Sequence, residues 1–293
     1  MKIAKKLRRL AVRHWSNFES LPFLRKMGEG TLDADAYRYY LVQDYLYLHG
    51  YLKLLALGIA KAPDSRTEEF FADSLQGTRA LELEHMREVM QNTGIELRRV
   101  KRKLLSPSTE AYLQYMQNLC WQGDAATVAV TVLACSESFE IIAAAMKKRY
   151  PECDKHKVYG NWVQSYMDPA YAAANRKLEE ITEHLTKGRG KEDFDAYTKI
   201  FESCMFFEEQ FWQDVYIQRL PEGLVRPSAL GQGMEKGEPE PQEPARECAA
   251  ASNEEKKNPE KAPGAVAVSA KPVLPVAGEA PSDREEPAAG KES

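Results

Sequence analysis

The sequence predicts an all-α domain, and three observations predict it. Apolar residues over 35–61 recur at three- and four-residue spacing, which places Leu41, Leu48, Leu52 and Leu55 on one helical face. Helix start and stop residues punctuate the chain at intervals suited to helices. No stretch alternates apolar and polar residues long enough for a convincing strand, and no internal repeat is visible.

Taken in order, a first helix is expected over 5–19, ended by Leu21-Pro22-Phe23 because proline disfavours helix in the residue before it. Gly28-Glu29-Gly30 is a turn. Asp33 is the expected N-cap of the long central helix, with Asp35 near its positive end. Pro63 stops that helix, and Asp64 or Ser65 caps the next, which is expected to run to about residue 92. Ser106-Pro107 opens a helix that carries Tyr112 and Tyr115. Gly123-Asp124 precedes an apolar helix over 125–150 that stops at Pro151. A shorter helix carries Tyr159, Trp162 and Tyr166. Asp168-Pro169, an N-cap followed by proline at the first helical position, opens the next to last helix. Helices over 170–187 and 192–218, divided by Gly188-Arg189-Gly190, complete about eight.

Composition divides the chain. Residues 1–220 are rich in aromatic and aliphatic side chains and read as one globular domain. Residues 221–293 are mostly Pro, Glu, Ala, Lys, Gly and Ser, without Phe, Tyr or Trp. Such a segment buries too little apolar surface to offset its chain entropy and is expected to be a disordered tail; nothing in it names a partner. The net charge of −4 argues against nucleic-acid binding, which draws its affinity from clustered Lys and Arg. The basic start Lys5-Lys6-Leu7-Arg8-Arg9 runs into a patterned stretch and is read as a solvated first helix, not a transit peptide. Cysteines 120, 135, 153, 204 and 248 are odd in number and widely spaced, as expected of free thiols in a reducing compartment. The most apolar run, 125–135, is too short to span a bilayer. A cytoplasmic location without membrane attachment is expected.

A few residues stand out chemically. Asp44 falls on the inward face of the long helix with Tyr47 and Tyr51, and an unanswered buried carboxylate costs several kcal/mol. Another side chain or a ligand must answer it. Cys135, midway along the apolar helix, is either a small buried hydrophobe or a nucleophile facing a pocket. Glu208 lies in Phe206-Phe207-Glu208-Glu209-Gln210-Phe211-Trp212; among aromatics its pKa should rise towards neutrality, which suits proton transfer near pH 7. Glu209 points about 100° away, so one of the two glutamates should face solvent. Tyr47, Tyr112, Phe139, Tyr166 and Trp212 are each ordinary core residues singly, but together could line a slot for a flat ring. Glu82 and His85 have the i, i+3 spacing of di-iron helical proteins, yet no second such pair occurs and no CxxC is present, so no metal is expected.

Taken together the chain resembles the TenA family, the thiaminase-II-like aminopyrimidine hydrolases with a haem-oxygenase-like helical fold. The resemblance covers residues 1–218. It rests on Pro22-Phe23 with Gly28-Glu29-Gly30-Thr31-Leu32, Gln43-Asp44-Tyr45-Leu46-Tyr47-Leu48, Ala60-Lys61-Ala62-Pro63-Asp64, Cys135, Tyr159-x-x-Trp162 with Tyr166, and Glu208-x-Gln210-Phe211-Trp212. It implies a homotetramer that needs no cofactor and salvages degraded thiamin. The implied reaction converts 4-amino-5-aminomethyl-2-methylpyrimidine to the hydroxymethyl pyrimidine, with thiamin a poorer substrate. By position, Asp44 would hydrogen-bond the aminopyrimidine edge, Cys135 would add to the ring and Glu208 would supply and recover protons. Tyr47, Tyr112, Phe139 and Tyr166 would surround the ring.

Two positions depart from the family pattern. Phe139 stands where the cysteine-bearing branch commonly has tyrosine, and Glu137 where a bulky apolar residue is common. Those departures keep a second reading open, a pyrimidine-binding or regulatory protein without efficient turnover. A third is a haem or redox-cofactor relative on the same fold, with His14 as axial ligand.

Overall fold

The computed structural model describes residues 2–226. The described residues contain ten α-helices, and the only β-pairing among them is an isolated antiparallel bridge between Ile95 and Val225. Helix α1 covers Ile3–His14 and passes into a 3-10 segment, Trp15–Ser20, where the sequence predicts a single helix. Pro22 does more than end that segment: it is the first residue of a short helix, α2, Pro22–Gly28, where its missing N–H costs nothing. The long helix α3 spans Ala34–Ala60, and the Asp33 carboxylate accepts from the amides of Asp35 and Ala36 as its sequence position requires.

The second difference lies over 65–92. The expected single helix is α4, Ser65–Gly77, and α5, Leu83–Asn92, joined by a π-helical turn, Thr78–Glu82. A π turn preserves the helix direction and inserts one residue, a slip of one position in the apolar spacing that is too small a signal to divide the helix. The remaining helices are α6 Pro107–Gln122, α7 Ala125–Arg149, α8 Gly160–Tyr166, α9 Pro169–Leu185 and α10 Lys191–Ile217. Ser106, Asp124 and Asp168 cap α6, α7 and α9 by accepting from backbone amides in the first turn.

Helix α3 is the axis of the domain and packs against α4, α6, α7 and α10; α7 also packs against α9 and α10. The close approach of α3 to α6 requires Gly50, because a Cβ there would collide with the Leu113 side chain. At 25 residues α7 is long and apolar enough to cross a membrane, which the shorter apolar run did not suggest. Its most apolar window is 83% buried inside the domain, so α7 is a core helix. Trp15, Phe23, Tyr40 and Trp212 fill the interior around it, with Tyr40 stacked on Trp212 at 5.5 Å.

Residues 221–226 remain against the domain past the expected boundary at 220. Leu224 and Val225 are buried, and the Glu96 and Arg226 amides donate to the Leu224 and Gly94 carbonyls. The rest of the expected tail, 227–293 with Cys248, lies outside the described residues.

Candidate active site

Asp44 is buried on α3, 4% exposed, and its expected answer comes from one turn earlier. The Tyr40 hydroxyl donates to Asp44 Oδ2 at 3.1 Å, and the Trp162 indole N–H donates to the Tyr40 oxygen at 2.9 Å. Among the described residues Oδ1 has no hydrogen-bond partner. Burial raises the Asp44 carboxyl to about 7, against the opposing effect of the Tyr40 hydrogen bond.

Two helices away, α6 and α10 bring a second polar group to the same region. The Tyr112 hydroxyl donates to Glu208 Oε1 at 3.0 Å. Glu208 is 2% exposed; burial pushes its carboxyl up to about 8, opposed by hydrogen bonds from Tyr112 and Cys135. Cys135 projects from α7 into this space. Burial, then the Glu208 charge, drives its thiol well above the ordinary thiol range. The resting pair is therefore a neutral thiol beside a carboxyl that is largely protonated at neutral pH, and a thiolate forms only with transfer of its proton. Tyr47 stacks on Tyr112 at 5.7 Å, and Tyr112 in turn lies parallel to Phe207 at 5.4 Å. Glu209 points outward and meets His14 at 3.6 Å, so Glu208 is the inward member of the glutamate pair.

Three adjoining hollows occupy the space between these helices, and Asp44 lines all three. The inner one, of about 200 Å³, is bounded by Tyr47, Tyr112, Phe139, Glu208 and Phe211. The middle one, of about 430 Å³, is bounded by Tyr47, Tyr51, Glu82, Cys135, Phe139, Tyr166 and Tyr171. The outer one, of about 650 Å³ with its mouth, is bounded by Tyr40, Glu82, His85, Trp162 and Tyr166 among others. The fold thus brings Asp44, Tyr47, Tyr112, Cys135, Phe139, Tyr166 and Glu208 around one continuous region. Trp212 lines none of the hollows; it stands behind Phe139, 5.5 Å between ring centres, and buttresses it.

Residues that sequence reasoning did not assign to the site also enter it. Tyr51, two turns after Asp44, is placed on its inward face by helical spacing, and Tyr40, one turn before, lies on the same face. Tyr171, whose hydroxyl donates to the Ser136 carbonyl at 3.1 Å, and Glu82 carry no such signal. Glu137 faces away from the hollows, fully buried, with Arg8 Nη1 at 3.5 Å. Burial, reinforced by Glu179, raises its carboxyl to about 9 despite Arg8. His14 lines none of the three hollows. Among the described residues no group of three or more His, Cys, Asp or Glu could hold a metal ion, and Cys120, Cys135, Cys153 and Cys204 are free and buried.

An aminopyrimidine aminohydrolase of Helicobacter pylori is 27% identical over 216 residues, covering 74% of this chain and 99% of the relative. One of Bacillus subtilis is 26% identical over 219 residues, covering 74% and 90%. Among solved structures, a TenA homologue from P. horikoshii superposes with a TM-score of 0.65 at 22% identity, covering 74% of this chain and 99% of the other. A Shewanella denitrificans domain of heme oxygenase-like fold superposes with a TM-score of 0.60 at 15% identity, covering 72% and 91%. The TENA/THI-4/PQQC family model matches residues 10–218, and the chain belongs to that family.

Proposed function

We propose that this chain is an aminopyrimidine aminohydrolase of thiamin salvage, replacing the amine of 4-amino-5-aminomethyl-2-methylpyrimidine by hydroxyl, with weaker cleavage of thiamin. The observation that carries the reading is the meeting of a thiol, Cys135, and an acid, Glu208, beside an inward carboxyl, Asp44, that has a free oxygen.

Asp44 Oδ1 accepts from the 4-amino group and fixes the ring. A neutral pyrimidine resists nucleophiles, so Glu208 donates its proton to a ring nitrogen and recovers one from the Cys135 thiol as sulfur bonds to a ring carbon. The adduct is no longer aromatic. Its ring electrons expel the amine from the exocyclic methylene, which leaves as ammonia from its protonated form. Water adds to the methylene, and its surplus proton passes to the ammonia. The ring N–H proton then returns through Glu208 to sulfur as the carbon–sulfur bond breaks. Each proton and electron pair is restored, and ammonium and the hydroxymethyl pyrimidine are released. Tyr47 and Tyr112 keep the ring stacked and the acid oriented.

Ammonia release by wild type and Cys135→Ser tests this. The serine variant should lose about a thousandfold or more, roughly 4 kcal/mol of transition-state stabilisation, and keep pyrimidine binding. If wild type binds the pyrimidine without releasing ammonia, the binding-protein reading replaces it. Two further expectations belong here. Free buried thiols support a cytoplasmic setting. The exposed Trp121, Phe206 and Ile217 offer apolar surface for contacts between protomers, and light scattering should give a tetramer mass.

A further inference from the structure

Glu82 is a carboxyl in the site for which the reaction above has no use. It is the last residue of the π turn between α4 and α5, and the inserted residue rotates α5 by about 100° relative to a continuous α-helix. Its side chain lines both the Cys135 hollow and the outer hollow, and Asp44, Leu48 and Tyr166 share that wall. No hydrogen bond or ion pair ties it to any described residue. Burial, then the charge of Asp44, raises its carboxyl to about 7. The outer hollow contains no Lys or Arg to compensate. His85, one turn on, does not compensate either: burial lowers its pKa, and its Nδ1 is buried without a partner. Two desolvated carboxyls and a neutral imidazole form a pocket whose missing component is a cation with N–H groups to donate.

The substrate class supplies that component in the required place. On the aminopyrimidine the amino and aminomethyl groups sit on neighbouring ring carbons. A carboxyl that grips the first group therefore brings the second alongside, and Glu82 is the other carboxyl on the same wall. We propose that Glu82 is the amine-binding residue of the site, accepting hydrogen bonds from the protonated aminomethyl group on the side of the outer hollow. This rests on the aminohydrolase reading. Its chemical consequence is that the leaving nitrogen stays protonated until the carbon–nitrogen bond breaks. The bonding pair then departs on neutral ammonia instead of on an amide ion. Glu82 neither gains nor loses a proton in the step. Ammonia, protonated by the proton of the attacking water, leaves through the outer hollow past His85.

Binding of two ligands that share the ring and differ only in charge tests the assignment. Dissociation constants of the aminomethyl and hydroxymethyl pyrimidines are measured by calorimetry for Cys135→Ser and for Cys135→Ser with Glu82→Gln, both slowed by the loss of the thiol. The glutamine should weaken the aminomethyl ligand about tenfold or more and the neutral hydroxymethyl ligand by less than about threefold. Retained affinity for the neutral ligand also shows that the pocket is intact. Equal weakening of both ligands, or no change in either, overturns the assignment. If Cys135→Ser itself binds neither pyrimidine, the aminohydrolase reading falls and the assignment falls with it. In the otherwise wild-type enzyme, Glu82→Gln should raise KM for the aminomethyl substrate by the same tenfold or more.

Discussion

At the scale of single residues, the proposed reaction gives Asp44 and Glu208, two carboxyls with neighbouring titration ranges, opposite tasks. In the proposed reaction Asp44 accepts from the 4-amino group and must be ionised, while Glu208 donates to the ring and must be protonated. Burial raises the first to about 7 and the second to about 8. The pH profile of kcat/KM should therefore be a narrow bell, rising as Asp44 and Glu82 ionise and falling as Glu208 loses its proton. Glu208→Gln should lower kcat by about a hundredfold or more and abolish the alkaline limb, which steady-state rates across pH will show. Retention of that limb in the glutamine variant would assign it to another group. The Cys135 thiol, raised by burial and by Glu208, supplies no resting thiolate, so alkylation of the free enzyme should be slow below its raised range.

At the scale of elements, the site depends on how α6 is held against α3. Gln43, fully buried on α3, donates from Nε2 to the Leu104 carbonyl at 2.8 Å and accepts at Oε1 from the Ser106 amide at 2.9 Å. Ser106 caps α6, which carries Tyr112. Gln43→Ala leaves two backbone groups without partners and should cost about 2–4 kcal/mol in urea unfolding, with activity falling as Tyr112 loses its position. Gly50 sets the other half of this contact. Gly50→Ala drives a methyl group into the Leu113 side chain, so that side chain must shift, and urea unfolding should show a loss of about 1–3 kcal/mol. Helix starts were legible because Asp33, Ser106, Asp124 and Asp168 act through amides two or three residues away. The π turn and α2 were not, since a one-residue slip in apolar spacing and a seven-residue helix are both too short to divide a longer apolar pattern.

At the scale of the whole molecule, Asp44, Glu82, Glu208 and Glu137 all hold their protons to higher pH in the folded chain than in the unfolded one, with values of about 7, 7, 8 and 9. The folded chain therefore binds more protons across that range. The stability these groups contribute is complete below the ordinary carboxyl pKa and is lost as pH rises through the raised values. Thermal unfolding should show Tm falling between about pH 6 and pH 9, where a protein with ordinary carboxyls is nearly flat. Glu137→Gln should reduce the slope at the upper end of the window, because burial keeps that carboxyl protonated longest.

The sequence by itself determined the helical class, most helix starts, the inward position of Asp44 and the residues that resemble an aminopyrimidine-hydrolase site. These come from local rules: three- and four-residue spacing, caps within one turn, and motifs a few residues long. Only the tertiary structure decided that Cys135 and Glu208, 73 residues apart in sequence, share one region with Asp44. It alone turned Glu137 towards Arg8 and Glu82 into the wall of the site. Each of those outcomes depends on which helix packs against which and on one inserted residue in a π turn, and neither is encoded within the span of a single helix.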